Sequence, residues 1–134
     1  MKLISLVMKA EFRSLPAGFN IRFQRSDQHD RALDFSPICL SGRNGSGKSN
    51  VLEALAAIFF HLECIYLEYR PAGLEYDPVD NPGGFRAEVA APDAYSLEYL
   101  IVLNPDSAPA VQSKALPPLA HVRITKEIGR RPEV

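Results

Sequence analysis

Metal-type cysteine spacing, an excess of positive charge and long apolar runs are all missing from this sequence, and each absence removes a class of function. The two cysteines, Cys39 and Cys64, stand alone. Without a Cys-x-x-Cys or Cys/His spacing they argue against a zinc site and a disulfide framework, and read as small core hydrophobes in a reducing compartment. The 15 Lys and Arg are offset by 16 Asp and Glu, so no global positive field would hold nucleic acid, and any DNA contact needs a local patch. The apolar stretch inside Lys2–Lys9 is too short for a signal peptide, and no segment approaches the roughly 20 apolar residues that cross a bilayer. The expectation is a soluble, cytoplasmic protein with no membrane partner. What is present, 46 % hydrophobic residues in 134, is enough to bury the core of one ordinary domain.

Along the chain, apolar residues at Ile4, Leu6, Met8, Ala10 and Phe12 alternate with Ser5, Lys9 and Glu11, which predicts a half-buried strand. Leu15-Pro16-Ala17-Gly18 breaks it, and the alternation of Phe19, Ile21 and Phe23 predicts a second strand closing an antiparallel hairpin. Ser26–Arg31 reads as a polar surface loop. Phe35–Leu40 is mostly apolar without alternation, as a central strand buried on both faces would be. After Lys48 the apolar positions from Val51 to Tyr69 keep a helical period until Pro71. The Pro- and Gly-rich stretch 71–84 is a turn-rich connection. Beyond it, Phe85–Val89, Tyr95–Leu103 and Val122–Glu127 read as strands, the last two separated by a Pro/Ala/Ser-rich linker, Asn104–Pro118. The tail Gly129–Val134 shows no pattern, and there is no internal repeat.

Between the predicted central strand and the helix lies Gly42-Arg43-Asn44-Gly45-Ser46-Gly47-Lys48-Ser49, which satisfies G-x-x-x-x-G-K-[ST] at Gly42, Gly47, Lys48 and Ser49. Glycines let successive backbone N–H groups converge on one concavity, a nest for phosphate oxygens. The helix that follows adds its N-terminal amides and partial positive charge. Lys48 supplies a mobile cation for the β- and γ-phosphates, and Ser49 a hydroxyl placed to ligate Mg²⁺. A glycine turn that merely caps a helix is the plain alternative, and the strand before and helix after the motif weigh against it.

Three features of the first sixty residues resemble the N-terminal nucleotide-binding half of ABC-class ATPases of the SMC and RecF-like group. They are the opening strand ending in Phe12-Arg13-Ser14, the hairpin strand Phe19–Phe23 ahead of the loop, and the extended motif running through Asn50-Val51-Leu52-Glu53-Ala54-Leu55. Within that group, Phe12–Phe19 is similar to AAA/ABC ATPases that accompany restriction and anti-phage systems. The resemblance implies an α/β P-loop NTPase partial core: residues 1–70 an N-terminal lobe, 71–84 a connection and 85–134 part of an antiparallel β-subdomain. It also implies ATP and Mg²⁺ as ligands. Gly42, Arg43, Asn44, Gly45, Ser46, Gly47, Lys48, Ser49 and Asn50 would serve the phosphates, Ser49 the metal, and Arg13 a nucleotide-proximal position. The partners it implies are the C-terminal half of the ATPase, a second copy arranged head-to-tail around ATP, and DNA with an attached nuclease.

A glutamine loop, a Ser-Gly-Gly signature, a strand ending in Asp-Glu and a switch histidine are not identifiable in these residues. No catalytic residue is therefore assigned, and the chain alone is expected to bind ATP rather than turn it over. Leu100–Leu103 followed by Asp106 is the nearest candidate for the missing acidic strand, but the surrounding alternation fits a hairpin better. His29, His61 and His121 have no readable partners in sequence. A small self-contained kinase or GTPase is a second reading. It is weakened by the absence of an Asn-Lys-x-Asp guanine reader and of a basic helical lid. A non-enzymatic interaction domain with a nucleotide as ligand is a third.

Overall fold

A computed structural model describes residues 1–24, 37–66, 76–84, 91–102 and 119–134. These form four strands and one helix: β1 (Lys2–Met8), β2 (Asn20–Arg22), α1 (Lys48–Tyr66), β3 (Tyr95–Val102) and β4 (Leu119–Lys126). The strands make one antiparallel sheet in the order β2-β1-β3-β4. Strands from the 85–134 stretch therefore pair directly onto the N-terminal hairpin, with Leu6 opposite Leu97 and Met8 opposite Tyr95.

The expected alternation in β1 is visible as burial of Ile4, Leu6 and Met8, but the strand stops at Met8 rather than at Phe12. Lys9 and Ala10 both donate their N–H groups to Ala94 O, at 2.9 and 3.2 Å, which bends the chain out of the ladder. Phe12 and Leu15 then exchange backbone hydrogen bonds of 3.0 and 2.9 Å in a tight turn with Arg13 at φ 57°. The hairpin returns through Gly18 into β2. A register shift between Leu3 and Ser5 in the β1–β3 pairing marks a β-bulge at Ile4, which clusters with Leu100, while on the other side Ile4 O accepts from Phe23 N at 2.8 Å, continuing the β1–β2 ladder.

Helix α1 lies on one face of this sheet. Val51, Ala54, Leu55 and Ile58, at helical spacing, share a core with Leu6, Met8, Phe12, Leu15, Tyr95, Leu97 and Ile124. Phe59 meets Tyr99 edge-to-face at 5.6 Å between centroids. Full burial of an Ile or Leu side chain in such a layer is worth about 1.5–3 kcal/mol. By length and composition alone α1 could cross a membrane, which corrects the expectation that no segment comes close. Its sheet-facing stripe and its paired Glu53 mark it instead as a core helix.

Two further expectations change. Pro37–Leu40 forms no strand; an apolar run becomes a central strand only when neighbouring strands take its backbone hydrogen bonds, and none lies beside it among the described residues. The tail does not trail away: Thr125 and Glu133 exchange backbone bonds of 2.9 and 2.8 Å, and the Tyr66 hydroxyl donates to Pro132 O at 2.9 Å. This fastens the end of α1 to the edge of the sheet. The predicted connection appears at 76–84 as a turn in which Asp77 Oδ1 accepts from Val79 N at 2.7 Å and Asp80 N at 2.8 Å. Those two bonds hold the Asp77 carboxyl below its ordinary pKa. The Ser26–Arg31 loop, Phe35 and Ser36 of the expected central strand, the strand Phe85–Val89, the helix end Leu67–Tyr69, Leu103, the whole Asn104–Pro118 linker, His29 and Asp106 lie outside the described residues.

Candidate phosphate-binding site

The glycine loop is shaped by two positions where a side chain would crowd a neighbouring side chain. At Gly42, φ is 158° and a Cβ would stand 2.9 Å from Ser46 Oγ; at Gly47, φ is 85° and a Cβ would stand 3.2 Å from Leu15 Cδ2. The loop therefore closes on itself at its first glycine and is pressed against the β1–β2 turn at its last. Ser46 N donates to Arg43 O at 3.1 Å, and Val51 N makes the first helical bond, to Gly47 O at 3.0 Å. The amides of Lys48, Ser49 and Asn50 accordingly occupy the first helical turn, where no intrahelical acceptor is available. That turn contains no acidic residue, so nothing there offsets the positive end of the helix dipole.

Lys48 folds back over the loop. Its ammonium donates to Gly42 O at 2.8 Å, Arg43 O at 2.7 Å and Ser46 Oγ at 3.3 Å. All three are neutral oxygens, weaker partners for an ammonium than a phosphate oxygen. The side chain is held at the loop mouth by bonds that an anion can replace.

An open cleft of about 400 Å³ is lined by Ser14, Asn44, Gly45, Ser46, Gly47, Lys48, Ser49 and Asn50, within the size range of small-ligand sites. Of the residues named from sequence, Gly42 and Arg43 stand behind this surface and serve it through their carbonyls. Arg13 is placed differently. Its guanidinium donates from Nε at 3.0 Å and Nη2 at 2.8 Å to Glu53 Oε1, on the second turn of α1, and lies 5.6 Å from the centre of the Phe12 ring. This pair is solvent-exposed, and such pairs add at most about 1 kcal/mol to stability.

Ser14 is the cleft residue that sequence reasoning missed. It belongs to the Phe12-Arg13-Ser14 run already singled out, but spacing alone does not say that this turn reaches a loop some thirty residues later. Asn50 Nδ2 donates a short hydrogen bond to Ser14 Oγ, tying the turn to the first turn of the helix.

Ser49 is among the residues that line the cleft. Among the described residues no group of three or more His, Cys, Asp or Glu side chains is placed to hold a metal ion. The remaining titratable clusters lie elsewhere. Across β3 and β4, Glu98 accepts from Arg123 Nε at 3.0 Å and contacts His121 Nε2 at 3.1 Å, on the sheet face opposite Leu97 and Tyr99. His61 is buried in α1. No protein-family model matches the chain, and no curated protein or solved structure shows significant similarity to it.

Proposed function

We propose that this chain binds the triphosphate of ATP with magnesium, as the N-terminal lobe of a P-loop ATPase of the SMC/RecF-like ABC group acting in DNA repair or anti-phage defence. The observation that carries the reading is the loop itself: a glycine-shaped cradle beside a 400 Å³ cleft, with the Lys48 ammonium held across its mouth by three exchangeable bonds. The first-turn amides of α1 and Lys48 would hold the phosphates, with the cleft-lining Asn44, Gly45 and Ser46 around them. The Ser49 hydroxyl would share a magnesium ion with phosphate oxygens and water, the usual way in which this cation keeps most of its hydration. When bound, that ion neutralises charge between the terminal phosphates.

The rest of the ATPase has a place to go. Leu52 on the outward side of α1 is 59 % exposed and Ile38, in the strandless run before the loop, is 45 % exposed. An exposed apolar helix position and an exposed apolar segment are surfaces that a further sheet would cover. In this reading hydrolysis awaits the completing half of the polypeptide and a head-to-tail partner.

Equilibrium dialysis of labelled ATP with magnesium, competed by GTP and followed by a phosphate-release assay, tests this. The expected result is saturable ATP binding with negligible turnover. No ATP binding, preferential GTP binding or brisk hydrolysis by this chain would overturn it.

A further inference from the structure

We infer that the Ser14 hydroxyl is a phosphate-oxygen donor of the same cleft, contributed by the β1–β2 turn and positioned by Asn50; the inference rests on the phosphate reading above. Ser14 sits on a turn closed at both ends by the Phe12 and Leu15 backbone bonds. Leu15, 2 % exposed, packs that turn against Gly47. The turn is further tied to α1 by Asn50 to Ser14 and by Arg13 to Glu53. Ser14 is thus a fixed part of the cleft wall.

The direction of the hydrogen bonds supplies the chemistry. A serine hydroxyl has one proton to give and two lone pairs to accept with. Here the oxygen accepts from the Asn50 amide, and among the described residues the hydroxyl proton has no acceptor. The opposing wall carries the Lys48 ammonium and the first-turn amides of α1, which are also donors. A ligand that satisfies all of them must present several anionic oxygens, as a polyphosphate does. Asn50 would then act through Ser14, holding its oxygen so that the proton faces the cleft.

The test measures affinity for Mg·ATP and for magnesium tripolyphosphate in the wild-type chain and in Ser14→Ala, Ser14→Thr, Asn50→Ala and the double variant, with thermal unfolding of each. Ser14→Ala is expected to weaken both ligands about tenfold, as the loss of one hydrogen bond to a charged group does, with the fold kept and a melting temperature no lower than that of Asn50→Ala, which loses the same tie. Ser14→Thr restores binding, and the double variant binds no worse than Ser14→Ala. Equal binding by wild type and Ser14→Ala overturns this inference and leaves the phosphate reading standing. Weakening of ATP alone, with tripolyphosphate unaffected, also overturns it, by placing the hydroxyl against the nucleoside. Failure of the wild-type chain to bind either ligand removes the phosphate reading and this inference together.

Discussion

Gly47 and Tyr95 show how much of this molecule is decided at single positions. Gly47 combines a left-handed backbone, φ 85°, with a 3.2 Å limit set by Leu15 Cδ2. Gly47→Ala must strain the backbone and press on the Leu15 side chain of the turn that carries Ser14. It should cost about 1–3 kcal/mol in urea unfolding and weaken ATP binding, whereas a stable, fully binding Gly47→Ala would contradict the packing described. Tyr95 is fully buried and its hydroxyl has no hydrogen-bond partner among the described residues. Burial first, and then the nearby Tyr66, push its pKa well above the ordinary phenol value of 10.0. A folded-state pKa raised in this way leaves stability intact below the unfolded value and erodes it as pH rises above about 10. Tyr95→Phe should therefore be neutral or slightly stabilising at pH 7. It should also retain more stability than wild type between pH 10 and 11, measured by denaturant midpoints across that range; the same alkaline loss in both proteins would count against this origin.

At the scale of elements, α1 is the piece on which fold and site depend together. Its inward stripe holds the sheet, and its first turn is the end of the glycine loop. Ile58→Ala, three turns from Lys48 and fully buried, should cost about 2–5 kcal/mol of stability, yet leave ATP affinity near wild type in whatever fraction stays folded. Calorimetric unfolding alongside nucleotide titration separates the two effects. What was legible in advance follows from locality. The period of Val51, Leu55 and Ile58 and the alternation of Leu6 and Met8 report directly on one buried face, and the loop motif is a contiguous string. Other features depend on partners remote in sequence. Ala94 O takes the amides that end β1, β3 provides the neighbour that makes one sheet of both halves, and Thr125 catches the tail. The strand expected at Phe35–Leu40 does not form over Pro37–Leu40 for the same reason, since composition can mark a central strand but cannot supply its neighbours.

At the scale of the whole molecule, the described residues form one antiparallel sheet, helix α1 and the glycine loop at its start, the arrangement on which the proposed anion site rests. The charge balance of 15 against 16 means that, in the proposed reading, the grip would be local: it would come from Lys48, the first-turn amides and the cleft wall, with no assistance from the global field. Such a site should lose its ligand when the Lys48 ammonium is removed and keep its fold, because the hydrogen bonds of that ammonium go to loop oxygens. The most direct measurement is calorimetric titration of Mg·ATP into the wild-type chain and into Lys48→Ala, with circular dichroism to establish that both are folded. The predicted result is saturable binding by wild type and a loss of at least about tenfold in affinity for Lys48→Ala at unchanged stability. Absence of binding by the folded wild-type chain, or equal binding by both proteins, would contradict the assignment of Gly42–Ser49 as a nucleotide site.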